Sequence, residues 1–198
     1  MPTDRTVHQP IEKLAVIVAL PMETQGLFDQ KNIQVHYCGI GKINAAFKTT
    51  EIILRTGCKH ILNLGTAGSH KFATHSAVEC RAFIQRDMDL SPLGFPAGDT
   101  PMDDIKGVIE VPTLIHDLPK GICGTGDRFE VGPPKLNCDL VDMEAYAIAK
   151  VCRRMGVGFT SVKYITDGSD DLAHKDWFEN LRPASKKLFE IYESFHPL

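Results

Sequence analysis

Apolar residues run without interruption from position 14 to 20, the pattern of a strand buried on both faces, and the run stops at Pro21. Beyond it, helical and strand patterns alternate. A short helix is predicted over 22–28, a strand over 33–38, a turn at Gly39-Ile40-Gly41, and a helix over 42–55 that Gly57 ends. Residues 60–64 read as the next strand. They lead into Gly65-Thr66-Ala67-Gly68-Ser69, a small-residue loop where backbone can approach a ligand closely. Further strands are predicted over 77–85, 108–111, 121–123 and 159–165, with a Pro- and Gly-rich loop over 87–104. Helices are predicted from 141 to about 155 and over 177–192. Strands alternating with helices predict one α/β domain over 14–198, a three-layer αβα arrangement with a largely parallel sheet, preceded by a polar extension at 1–13.

One helix breaks its own pattern. At helical spacing Glu144 shares a face with Ile148, Val151, Cys152 and Met155, the face that meets the core. A buried carboxylate without a partner costs several kcal/mol, roughly 2 to 7 even for a neutral polar group. Satisfaction by the amides of its own helix start is one solution, but Asp142 is placed to cap those amides. The functional alternative is a carboxylate facing a polar ligand. Two more acids fall at the carboxyl ends of predicted strands, where open α/β sheets bind ligands: Glu23, three residues past the first strand, and Asp167, after the strand that ends at Ile165. Each has an ordinary reading too. Asp167-Gly168 is a common turn pair, and Asp170 or Asp171 suits the cap of the last helix.

Composition narrows the chemistry. A length of 198 residues, 43% of them hydrophobic, suffices for one well-cored domain. A net charge of −3, with basic residues scattered, gives no footprint for nucleic acid or an acidic membrane, so neither is an expected partner. The six cysteines form no C-x-x-C pair and sit mostly in apolar segments. They read as buried reduced thiols in a cytoplasmic protein, not as a disulfide frame or a metal site. Residues 1–12 lack the apolar core of a signal peptide, and no run approaches a membrane span. The Gly39-Ile40-Gly41 turn is half of a dinucleotide fingerprint, but the third glycine and the following acid are missing. No cofactor is expected.

Six segments in order carry a family resemblance: Ala19-Leu-Pro-Met-Glu23, Gly39-Ile-Gly-Lys-Ile-Asn-Ala-Ala46, Asn63-Leu-Gly-Thr-Ala-Gly68, Thr125-Gly-Asp-Arg-Phe129, Val141-Asp-Met-Glu144 and Ile165-Thr-Asp167. Together they resemble the purine nucleoside phosphorylase and nucleosidase superfamily, most of all its 5′-methylthioadenosine/S-adenosylhomocysteine nucleosidase branch. The resemblance implies a mixed twisted sheet partly closed into a barrel, a usual homodimer, a purine nucleoside as substrate, and a place in methionine salvage. It also assigns roles. Asp167 matches the acid that protonates the leaving purine, and Glu23 the acid that activates water. Glu144 and Met143 match the pair that holds the ribose, Phe129 the ring that stacks on the base, and Thr66, Ala67 and Gly68 the loop beside the ligand. Trp177 falls where that branch keeps an aromatic over the 5′ group, and Phe95 and Pro101 where the neighbouring subunit closes the pocket.

The chemistry agrees with these roles. Breaking an N-glycosidic bond needs a proton for the base, a stabiliser for an oxocarbenium-like sugar and an activated water, which three carboxyl groups supply. Phosphorylases of the superfamily hold phosphate with arginines after the first strand and before the Gly-Ser/Thr-x-Gly loop. Here those places hold Pro21-Met22-Glu23-Thr24-Gln25 and Asn63-Leu64, so water is the expected acceptor. The chain departs from the branch in its shortened segments near 119–121 and 133–139, in Arg128 and Glu130 flanking Phe129, and in Lys163 where arginine is common. These departures leave open a nucleosidase for another nucleoside, of futalosine type, a phosphorylase, and a non-catalytic nucleoside-binding protein.

Overall fold

The computed structural model describes residues 13–105, 107–132, 134–169 and 173–195. Strand β1 (Leu14–Val18) pairs in parallel with β2 (Val35–Tyr37) on one side and β3 (His60–Gly68) on the other. Its apolar run serves two cores. Ala15 and Ile17 face one, against α1 (Lys42–Thr56) and α2 (Ala145–Met155); Val16 and Val18 face the other, against α3 (Ala173–Phe195). Such alternation into apolar surroundings on both sides is why the strand reads as a continuous hydrophobic run. The result is the expected three layers.

The remaining strands close a ring. β3 runs parallel to β8 (Gly158–Asp167), and β8 pairs antiparallel with the first part of β4 (Ala77–Gln85). β4 also pairs with β5 (Val108–Glu110) and β6 (Lys120–Thr125). β6 lies parallel to β7 (Leu140–Asp142), which returns to β3 through the Gly68–Val141 pair. Strands β3, β8, β4, β6 and β7 thus form a closed circuit within a mixed, largely parallel sheet. This is the partial barrel that the resemblance implies.

Several expectations need correction. The stretch 65–68 is not a loop but the end of β3, because β8 continues alongside it as far as the Gly68–Asp167 pair. Its small residues are still required for close approach. A Cβ at Gly65 would lie 3.3 Å from both Glu23 Oε1 and Lys163 Nζ, and one at Gly68 would collide with Ser169 Oγ and Asp167 Oδ1. The helix expected over 22–28 is a 3-10 turn, Pro21–Glu23, followed by turns, since Gln25 (φ 47°) and Gly26 (φ 73°) leave helical space. Helix α2 starts at Ala145. Residues 140–142 form β7 instead, their backbone groups taken up by the ladder with β6. Glu144 therefore stands at the N-cap position of α2 rather than inside it, and its side chain makes no bond to the helix's own amides. Thr166 and Asp167 belong to β8, and α3 begins at Ala173, ahead of the expected 177. All six cysteines are free, five buried and Cys138 half-buried. The proposed caps Asp170 and Asp171, and residues 1–12 of the polar extension, lie outside the described residues.

Candidate active site

The carboxyl ends of β1, β3, β6, β7 and β8 surround a cavity of about 210 Å³. Into its wall go Glu23, Thr66, Ala67, Gly68, Phe129, Met143, Glu144, Asp167 and Trp177, nine of the residues singled out from the sequence. Phe95 and Pro101 do not line this cavity of their own chain; they sit in the loop 87–104, where Leu93 and Met102 are exposed. The three acids are all buried. They are held in three different ways.

Glu23 follows β1 on the 3-10 turn. Its Oε1 accepts the Thr66 N–H and the Thr66 hydroxyl, both at 2.9 Å, and its Oε2 accepts the Leu20 N–H at 3.0 Å. Trp177, at the start of α3, donates its indole N–H to the same Thr66 hydroxyl at 2.9 Å. Asp167 ends β8. Its Oδ1 accepts the Ser169 N–H at 3.0 Å and its Oδ2 the Thr166 hydroxyl at 2.8 Å.

Glu144 sits where β7 gives way to α2, and its Oε1 accepts the Gly41 N–H at 2.9 Å. The neighbouring amide of α1, Lys42 N–H, goes to Asp127 Oδ1 at 2.8 Å. Two of the amides that leave a helix start ready for an anion are therefore already bound to carboxylates of the chain. Asp142 does hold the start of α2, through Ala145 N–H at 2.8 Å, although it lies at the end of β7. Its main partner is Lys163 Nζ at 2.9 Å, with both side chains buried, and it also accepts the Thr125 hydroxyl. Burial opposes the charge on each. The mutual attraction wins, holding the Asp142 carboxyl below its usual range and the Lys163 ammonium above its own. Glu144 lies on the other side of that balance. Burial first, then the negative charge of Asp142, push it up to about 8, against the pull of Lys163 and the Gly41 amide.

Sequence reading missed Arg86. It stands one residue past β4, lines the cavity, and is paired with Glu130, which also takes Arg128 Nη2 at 2.8 Å. Arg86 further donates to the carbonyls of Gly126 and Arg128, so it fastens the segment that carries Phe129. The available signal was an arginine directly after a predicted strand. Lys163 had a clearer signal: a lysine within an apolar strand is almost never buried unless paired. Among the described residues no group of three or more His, Cys, Asp or Glu is placed to hold a metal ion. No described helix is long and apolar enough to cross a membrane.

The arrangement matches a known group of proteins. The family model of the phosphorylase superfamily matches residues 22–195. The chain belongs to this superfamily. Aminodeoxyfutalosine nucleosidase of Helicobacter pylori strain J99 is 28% identical over 191 residues, covering 86% of this chain and 82% of the relative. 5′-Methylthioadenosine/S-adenosylhomocysteine nucleosidase of Exiguobacterium sp. is 29% identical over 183 residues, covering 81% and 78%. The superfamily fold is seen again in a crystal structure of the H. pylori 5′-methylthioadenosine/S-adenosylhomocysteine nucleosidase, with a TM-score of 0.84 at 22% identity over 94% of this chain and 98% of that one. H. pylori futalosine hydrolase gives a TM-score of 0.83 at 21% identity, over 93% and 97%.

Proposed function

We propose that the chain hydrolyses the N-glycosidic bond of a purine nucleoside of the 5′-methylthioadenosine/S-adenosylhomocysteine type, releasing free base and free sugar. The observation that carries this reading is the convergence of three buried carboxyl groups from separate strand ends on one cavity whose wall includes Phe129. In this reading the purine lies against Phe129 and receives a proton from Asp167. Glu144 and Met143 hold the ribose, and the ionised form of Glu144, which gains population toward pH 8, favours positive charge on the sugar. Glu23 takes the proton of the attacking water. Trp177 borders the 5′ group.

Water as the acceptor is supported by the α1 start, whose Gly41 and Lys42 amides are spent on Glu144 and Asp127, and by Arg86, whose guanidinium is paired with Glu130 and with carbonyls of the chain. Purine release is therefore expected in phosphate-free buffer, with free sugar as the product by chromatography. A sugar 1-phosphate as the main product would show a phosphorylase instead. The same assay, run with methylthioadenosine, S-adenosylhomocysteine, adenosine, inosine and aminodeoxyfutalosine, addresses the base and the 5′ group. A futalosine-type nucleosidase is the second reading, favoured by the 28% identity to the relative of that name. Tight binding without base release from any of these would leave a nucleoside-binding protein.

The active unit in this reading is a cytoplasmic homodimer in which Phe95 and Pro101 of the partner close the pocket. Six free cysteines suit a reducing compartment. Helix α1 presents Ile43 (82% exposed), Phe47 (71%) and Leu54 (72%) on one face, and Met102 in the loop 87–104 is fully exposed. Apolar groups aligned this way mark an interface. Phe47→Glu is expected to convert a dimer to monomer in analytical ultracentrifugation at micromolar concentration. A wild-type chain that is monomeric and fully active there would rule the shared pocket out.

A further inference from the structure

Trp177 carries two chemical groups, and the reading above uses only its ring. The indole N–H can only donate, so Thr66 Oγ1, 2.9 Å away, accepts from it. The hydroxyl of Thr66 has a single proton, and Glu23 Oε1 lies 2.9 Å away as an acceptor. With Trp177 filling one of its lone pairs, the hydroxyl is oriented in one sense: Trp177 N–H to Thr66 O–H to Glu23 Oε1. The Thr66 N–H, at 2.9 Å, gives Oε1 a second donor. Oε2 receives one, from Leu20 N–H at 3.0 Å, among the described residues. A carboxylate oxygen accepts about two hydrogen bonds. Oε1 is therefore filled, while Oε2 keeps one lone pair.

We propose that Trp177 is a positioning residue, which through Thr66 locks the Glu23 carboxylate so that Oε2 is the atom presented to the attacking water. The proposal rests on the hydrolase reading for the role of Glu23. It places the start of α3 in the control of water activation at the end of β1, across strand β3. It also explains why tryptophan serves here when a phenylalanine would cover a 5′ substituent equally well.

Trp177→Phe keeps the ring and removes the N–H. The expected result is a kcat roughly tenfold lower, the scale of one lost hydrogen bond, with KM within about twofold. The factor should be the same for methylthioadenosine and adenosine, because the lost group does not touch the 5′ position. In the Thr66→Val background Trp177→Phe should cost nothing further. A loss confined to KM that grows with the size of the 5′ group would reduce Trp177 to a wall of the pocket. A Phe variant at full kcat would equally end the proposal. A readout free of turnover comes from the single tryptophan of the chain, whose indole N–H gives one resolvable NMR signal. That signal should shift in Thr66→Val and in Glu23→Gln, with the fold checked by circular dichroism. No shift in either variant overturns the hydrogen-bonded chain. A wild type inert toward every nucleoside, with the NMR response present, would instead defeat the hydrolase reading and the water-directing half of the proposal with it.

Discussion

Asp167→Asn is expected to lower the rate of base release by about 100-fold or more, the scale of a lost general acid, while the fold and nucleoside affinity stay close to wild type. Asparagine keeps the size of the side chain and a carbonyl oxygen for the Ser169 N–H that Oδ1 now accepts at 3.0 Å. The Thr166 hydroxyl, 2.8 Å from Oδ2, need only rotate to accept from the new amide instead of donating. What the variant lacks is a transferable proton for the purine. Single-turnover kinetics with methylthioadenosine, beside calorimetric binding of a non-hydrolysed analogue, separate the two effects. Turnover near that of the wild type would remove Asp167 from the role.

The acids of this cavity were legible in the sequence for a physical reason: a carboxylate inside an apolar pattern is costly, so Glu144 among apolar helix positions and Asp167 behind an apolar strand stand out. The layers were legible too, because β1 buries both faces and β4 is bounded by turn residues on each side. Other features depend on partners far away along the chain. β7 is only Leu140-Val141-Asp142, too short for any periodicity, and becomes a strand because β6 and β3 bracket it. The ring of strands closes because β8 pairs with both β3 and β4, a choice that no local pattern records. Arg86 and Glu130, 44 residues apart, are ordinary surface types until the fold joins them. The extended end of β3 reads as a loop because glycine and alanine weaken a strand pattern. There, contact with Glu23, Lys163, Ser169 and Asp167 sets the residue size rather than the turn chemistry.

Glu144→Gln is expected to have a similarly large effect on catalysis and an opposite effect on stability at high pH. Removing a group whose ionised form strengthens its interaction as the sugar becomes cationic should cost about 10²- to 10³-fold in kcat, by analogy with the loss of other preorganised electrostatic groups. The fold should survive, because a glutamine carbonyl still accepts the Gly41 N–H that now lies 2.9 Å from Oε1. Stability follows from the raised acidity range. Glu144 in the folded chain is held up at about 8 by burial and by Asp142, against the 4.5 of an ordinary glutamate. Between these two values the folded state binds the proton more firmly than the unfolded state, so stability falls as pH rises across that window and levels off above it. The contribution is complete below the unfolded value and gone above the folded one. With ~1.4 kcal/mol per unit, the effect reaches a few kcal/mol at most. Glutamine does not titrate, and its variant should lose this slope. Chemical denaturation of both proteins at pH 6 and pH 9 measures it: the wild type should lose more stability than Glu144→Gln between the two. Parallel losses would mean that Glu144 is already ionised in the free protein at pH 6, and that the negative charge beneath the sugar is present before the substrate arrives.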